Sequence, residues 1–304
     1  MSTAKPARLP SQAAISSAAP ATTTAKQAPR APAKVSRGWP HDDGYRPGKL
    51  TGWILPLGFF LLVELGAHLG LIPARLLPPP SELAQTLWSL AVRGELLPHI
   101  WASLARVLAG FIIGSVSAVA LGLLVGTSRR AEALLEPSFQ ALRAIPSLAW
   151  IPLLLLWLGI DETPKIVLIA IGAFFPVYLN LVSGIHDIDH KLIEVGTSSG
   201  LGRAELVRHI LLPASLPYLF AGLRGGLSLA WMFLVAAELI AATRGVGYLL
   251  SDGRESSRPD LVLAAILVLA LLGKLSDSLL RLAERNSLRW REAHRIPTSS
   301  RAKS

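Results

Sequence analysis

Six apolar runs, each long enough to cross a bilayer, constrain this chain more than any other feature. An α-helix rises 1.5 Å per residue, so about 20 residues span the hydrocarbon layer. The runs are Trp53–Ile72, Val107–Gly126, Ser138–Ile160, Ile166–Ile185, Gly225–Ala242 and Leu261–Leu280. The second and fourth carry no charge; the others hold Glu64 and His68, Arg143, Glu238, and Lys274 with Asp277. Lipid offers no hydrogen bonds, so each run must satisfy its own backbone, which selects helices. The expected fold is all-α: a polytopic membrane protein of about six transmembrane helices. Pro80–Pro98 reads as an amphipathic connection rather than a span.

Composition excludes the soluble alternative. Of 304 residues, 51% are hydrophobic and only 16% charged, against about a quarter charged in soluble domains. Too few polar side chains remain to enclose six such runs. The net charge of +10 would suit a nucleic-acid binder. Here it sits at the chain ends and in short loops, which fits a lipid surface better, and no nucleic-acid partner is expected. The absence of cysteine excludes disulfides, thiol catalysis and cysteine-bound metal. No HExxH or similar spacing offers a metal site.

Residues 1–50 are rich in Ala, Pro, Ser, Thr, Lys and Arg, with no acid before Asp42. Such a stretch cannot bury a core and is expected to be a disordered basic tail. The transmembrane domain is then 51–282, with a second basic tail over 283–304. The first apolar run begins too deep for a cleavable signal peptide. Lys and Arg favour cytoplasmic loops. With the N-terminus inside, the outer segments 73–98, 161–165 and 243–260 carry only Arg75, Arg93, Lys165, Arg244, Arg254 and Arg258. The inner loops carry Arg129, Arg130, Arg143, Lys191, Arg203 and Arg208, and both tails are basic. Both termini are therefore expected in the cytoplasm.

The inner segment 186–217, HDIDHKLIEVGTSSGLGRAELVRHILLPASLP, is long for a connector. Glu194 begins a short helical stretch, which Gly200 and Gly202 can end, because glycine accepts left-handed backbone angles. Arg203–Ile210 can form a second short helix. Pro213 and Pro217 are expected to stop or redirect the chain before the fifth span. The polar face carries Glu194, Arg203, Glu205 and Arg208; the apolar positions include Leu192, Leu201, Leu206 and Ile210. An amphipathic helix-turn-helix at the cytoplasmic face suits the docking of a partner protein.

Glu194, Gly200 six residues on, and Ile210, Leu212 and Pro213 beyond it resemble the cytoplasmic loop of the inner-membrane subunits of binding-protein-dependent ABC importers. That loop has the form E-A-A, three residues, G, nine residues, I, any residue, L-P. Val195 and Gly196 stand here where the family often has two alanines. Gly196 keeps the close packing that a small residue allows, while Val195 is bulkier. The resemblance covers about residues 50–290, with the shared core at about 95–280. Within the family the chain is most similar to aliphatic sulfonate permeases, whose relatives handle taurine and nitrate. The passages that carry this are LLPPPSEL (Leu76–Leu83), IPLLLLWLGIDETPKI (Ile151–Ile166), GVGYLLSDGRE (Gly245–Glu255) and LLGKLSD (Leu271–Asp277).

The resemblance implies the type I importer fold in a bacterial inner membrane. It implies a homodimer, two permease copies around one path, with the residues themselves leaving a homologous partner open. It also implies a periplasmic binding protein that delivers solute. The loop Glu194–Pro213, through Glu194, Gly196, Gly200, Arg203, Ile210, Leu212 and Pro213, would couple to cytoplasmic ABC ATPase subunits. No cofactor is implied for this chain, since ATP is used by the partner. The residues agree: Leu272-Gly273-Lys274-Leu275 lacks the earlier glycine (Val268 is there) and the Ser or Thr of a phosphate-binding loop.

Intramembrane charges are costly and face protein or water. Glu238, Lys274 and Arg106 either line the path or gate, or are paired or snorkelled within the structure. Glu64 and His68, one turn apart, form a proton pair or a peripheral polar stripe. Pro146, Pro152 and Pro176 should bend their helices, and Asn180 is a candidate polar contact of the path. A secondary transporter would call for an inverted repeat or several midplane ionisable groups, and a membrane enzyme for a catalytic set; neither is visible.

Overall fold

The computed structural model describes residues 51–73 and 75–289, with side chains from residue 54 onward. The expected tail over 1–50 and the end of the chain beyond residue 289 lie outside the described residues. Among the described residues the secondary structure is helical throughout, without strands.

The apolar runs become helices, with altered limits. Helix α1 spans Thr51–His68, and α2, Pro80–Val92, is the amphipathic connector, burying Leu83, Thr86 and Leu90. Helix α3 spans Leu96–Thr127, eleven residues longer at its start than the apolar run from Val107. Four stretches are long and apolar enough to cross a membrane: Leu96–Thr127, Glu162–His186, Arg203–Ala241 and Pro259–Ser287. Over its described residues α1 is a shorter apolar helix, Ile54–His68. It stands at the periphery, with Leu55 81% exposed, as expected of a lipid-facing helix.

The third run is not one straight helix. Helix α4, Arg129–Ala144, is followed by a 3₁₀ turn at Ser147–Trp150 and by α5, Ile151–Leu158, and the two parts are bent by 88°. Pro146 is the cause: the residue before a proline is driven from the helical region, and Ile145 is extended at φ −77°, ψ 122°. Helix α6, Glu162–His186, by contrast passes through Pro176 without a break.

The core is α3 against α6 against a later long helix. Small residues recur every fourth position along α3, at Gly110, Gly114, Ala118, Gly122 and Gly126. That row lets backbones touch, the usual driver of helix association in lipid. A methyl on Gly114 would overlap the Ala170 carbonyl, and one on Gly122 would stand 3.0 Å from Leu181.

After α6 come α7, His190–Ser198, and α8, Arg203–Leu206. A π-turn at Val207–Leu211 then leads directly into α9, Leu212–Ala241. Pro213 and Pro217 therefore do not stop the chain. Pro213 sits in the first turn of α9, where its missing N–H has no intrahelical role, and the widened turn before it accommodates the ring. Helix α9 packs on α6 where Gly222 and Gly226 approach Pro176, Val177 and Ala173.

Helix α10, Val246–Glu255, and α11, Pro259–Ser287, complete the bundle. Leu90, Val246, Leu249, Leu261, Ala265 and Val268 form a second core joining α2, α10 and α11. It is fastened by Thr86 Oγ1 donating to Asp260 at 2.8 Å. Helix α11 continues to Ser287, past residue 283.

Candidate functional site

The segment between α6 and α9 folds as a helix, a glycine turn and a second helix. Helix α7 starts at His190 rather than Glu194, because Asp189 caps it: its carboxylate accepts from the Lys191 N–H at 3.0 Å. The C-terminus is a Schellman motif. Leu201 N–H donates to the Gly196 carbonyl at 3.1 Å and Gly200 N–H to that of Thr197 at 3.0 Å. The motif demands a left-handed residue, and Gly200 supplies it at φ +80°.

Gly202 has a different task. It is extended, at φ −69° and ψ 167°, and caps α8. Its N–H donates to the Glu205 carboxylate at 3.0 Å, so Glu205 supplies the return half of a capping box. Only Gly200, not Gly202, ends the first helix.

Gly196 is buried and faces inward. A side chain there would meet Ile210 Cδ1 at 2.5 Å and Leu206 Cδ1 at 2.8 Å. The small residue thus lets α7 pack on the second half of its own loop. Ile210 is half-buried beneath it, and Leu212 and Pro213 are half-buried at the start of α9. Elsewhere α7 is open: Leu192 is 51% and Val195 64% exposed, and Glu194 is exposed. Arg203 and Arg208 are exposed on the second arm. The loop is tied to the bundle where Tyr218 Oη donates to Asp187 at 3.0 Å. What results is an exposed, mixed apolar and charged surface.

The intramembrane charges fall into two groups. Glu238 on α9 has a fully buried side chain. It accepts from Ser103 at 2.8 Å, Arg106 at 2.6 Å and the Gly247 N–H at 2.7 Å. Ser103 in turn accepts from the Val246 N–H at 2.8 Å. Arg106 also donates to Glu162 at 2.8 Å, and Lys165 to Glu162 at 3.1 Å. One network therefore joins α3, α6, α9 and the start of α10. The sequence marks Glu238 and Arg106 separately and gives no sign of Ser103, Glu162 and Lys165 as their company.

Lys274 is exposed on α11 and lines a cleft with Arg224 and Asp277. Asn180 is half-buried and donates back to the Pro176 carbonyl of its own helix at 2.8 Å. Glu64 and His68 are hydrogen-bonded at 3.1 Å. Arg258, at the start of α11, donates to Asp260 at 2.6 Å, and that bond holds its guanidinium above the ordinary arginine value.

Residues 110–288 match the family described as the inner membrane component of binding-protein-dependent transport systems. A permease protein named for aliphatic sulfonates transport, from Escherichia coli, is 43% identical, covering 82% of this chain and 94% of its own. Its namesake from Bacillus subtilis is 41% identical over 82% of this chain and 90% of its own. The taurine transport system permease protein of Escherichia coli is 35% identical over 74% and 83%. An inward-facing methionine ABC transporter structure is similar in fold, with TM-score 0.54 and 22% identity, over 63% of this chain and 95% of that one.

Proposed function

We propose a transport cycle for this chain from one premise: it belongs to the family of inner membrane components of binding-protein-dependent transport systems. In this reading it is the permease subunit of an ATP-driven importer of aliphatic sulfonates. The relatives named for that substrate support the class. Both termini lie in the cytoplasm, so the α7–α8 loop faces a separate ATPase. A second permease copy completes the path, and a periplasmic binding protein supplies solute. The chain performs no bond chemistry and binds no cofactor; its work is mechanical.

The observation that carries this reading is the exposed surface of α7, where Leu192, Glu194 and Val195 stand uncovered on a helix ended by the Gly200 turn. Exposed apolar side chains on a rigid element outside the spans call for a protein partner. Glu194 and Arg203 contact the ATPase. Gly196 and Ile210 keep the loop's two arms in register. Leu212 and Pro213 pass its displacement into α9 without an intervening flexible joint, because the helix is continuous from the π-turn onward.

At the far end of α9, Glu238 braces the bundle. Its partners leave it little freedom to bind solute. A stroke entering at Leu212 would therefore move α3, α9 and the start of α10 together.

The test is purification with the cognate ATPase and uptake in vesicles. The complex should hydrolyse ATP, the permease alone should not, and labelled ethanesulfonate should accumulate ahead of taurine, nitrate and a neutral sulfone. ATP hydrolysis by the single purified chain, or import of the neutral sulfone in preference to all anions, would refute this function.

A further inference from the structure

Arg224 on α9 and Lys274, Asp277 and Arg281 on α11 line an open cleft of about 610 Å³. Arg224 is 3.3 Å from Asp277 and 3.6 Å from Glu284, and Arg281 donates to Asp277 at 2.9 Å. Both arginines are thus engaged by carboxylates. Lys274 is exposed and makes no ion pair among the described residues. The cleft keeps its width because Gly225 and Gly273 line it without side chains, and Gly273 has open space where one would stand.

Depth decides what this face meets. The apolar run of α11 ends at Leu280, six residues or about 9 Å of helix beyond Lys274, so the cleft lies in the inner part of the span. A charge at that depth facing lipid is costly, and such charges face protein or a water-filled cavity. Three cations against two carboxylates leave the cleft with one positive charge, at Lys274.

We infer that this cleft is a water-filled, anion-attracting stretch of the translocation path, and that Lys274 is the contact for the anionic head of the solute. The inference rests on the transport reading above and gives its anion class a location. Arg224 and Arg281 are positioning residues: they hold Asp277 and Glu284, so that the lysine charge stays available.

The test uses a single cysteine in a chain that has none of its own. Ser228 is exposed in the same cleft. Ser228→Cys is placed in the complex with its ATPase in nanodiscs, and labelled with sulfonatoethyl and trimethylammonioethyl methanethiosulfonate. Both should react, the anionic reagent faster. Lys274→Gln should lower the anion-to-cation rate ratio several-fold, because removing one unit charge from the same cleft acts oppositely on the two reagents. Lys274→Arg should restore it, and free ethanesulfonate should slow the anionic reagent. Failure of both reagents to react would mean that lipid or a second copy covers the cleft, and would overturn the inference. So would a ratio unmoved by Lys274→Gln. Protection by phosphatidylglycerol in the disc, but not by ethanesulfonate, would overturn it too and make this a lipid headgroup seat instead. Labelling needs no transport. A complex that imports no sulfonate yet shows the ratio shift would refute the substrate class and leave the cleft standing.

Discussion

Two glycines two residues apart in the α7–α8 loop should respond differently to the same substitution. Gly200 lies at φ +80° with nothing within 4 Å of the place a side chain would take, so any penalty there is backbone strain and not collision. Alanine at such a position costs about 1 kcal/mol. Valine, whose branched carbon crowds the carbonyl further, should cost roughly 2 kcal/mol. Asparagine tolerates left-handed angles and should cost least. Gly202 is extended at φ −69°, and a methyl there would meet only Glu205 Oε2, at 3.8 Å. Gly202→Ala should therefore be close to neutral.

A difference of 1 to 2 kcal/mol is a factor of about 5–30 in a conformational equilibrium. It should appear as a shift from the locked turn to open loop conformers rather than as loss of the bundle, whose cores lie elsewhere. The assay has three readouts: permease in the membrane by immunoblot, ATPase retained on affinity purification, and ethanesulfonate uptake. Membrane levels should stay normal throughout. Retention and uptake should fall in the order Gly202→Ala, Gly200→Asn, Gly200→Ala, Gly200→Val. Full uptake by Gly200→Val, or equal damage by Gly202→Ala and Gly200→Ala, would show that the left-handed turn is not what shapes the docking surface.

Three further outcomes follow from the same structure. In intact cells, Cys at exposed Ser256 should react with an impermeant thiol reagent while Cys at exposed Ser199 should not; the reverse pattern would invert the proposed topology. Gly114→Leu should strongly reduce folded protein in the membrane, because its side chain meets the Ala170 backbone, whereas Gly58→Leu, with nothing within 4 Å, should be tolerated. Arg106→Ala should lower thermal stability more than Arg93→Ala, since it strands the fully buried Glu238, while the Arg93 partner Glu95 is 50% exposed. Stranding a buried charge costs roughly 3 kcal/mol, and equal melting temperatures for the two variants would contradict the network as drawn.

What the residues disclose in advance depends on how local the physics is. The long apolar runs locate α3, α6 and α11 to within a turn or a few, because burial in lipid is a property of each segment alone. The Gly200 turn is equally legible, since a Schellman end involves neighbours only. The 88° break is obscured because both sides of Pro146 are apolar, and hydropathy does not register direction. The proline at 213 misleads for a related reason: a proline interrupts a helix only where its N–H was needed, and a π-turn upstream alters that; Pro217 lies within α9 without ending it. The fourfold spacing of small residues on α3 stands in the sequence and is the signal that pairs α3 with α6.

Glu238 and Lys274 mark the limit most clearly. Each is a charged residue in a mostly apolar run, and the membrane penalty is of the same kind for both. Their roles part only when residues distant in sequence are brought up. Ser103 and Arg106 come to Glu238 from 135 and 132 positions away, and with the Gly247 N–H they saturate a carboxylate that has no exposure. Around Lys274 the nearby carboxylate Asp277 is taken by Arg224 and Arg281, and the lysine is left facing open space. A saturated charge serves as a brace, because moving it would leave its partners unsatisfied. An unsaturated one in an open cleft persists at a cost that water, or the anion proposed above, can offset. That difference in company, not in residue type, is what the sequence alone leaves out.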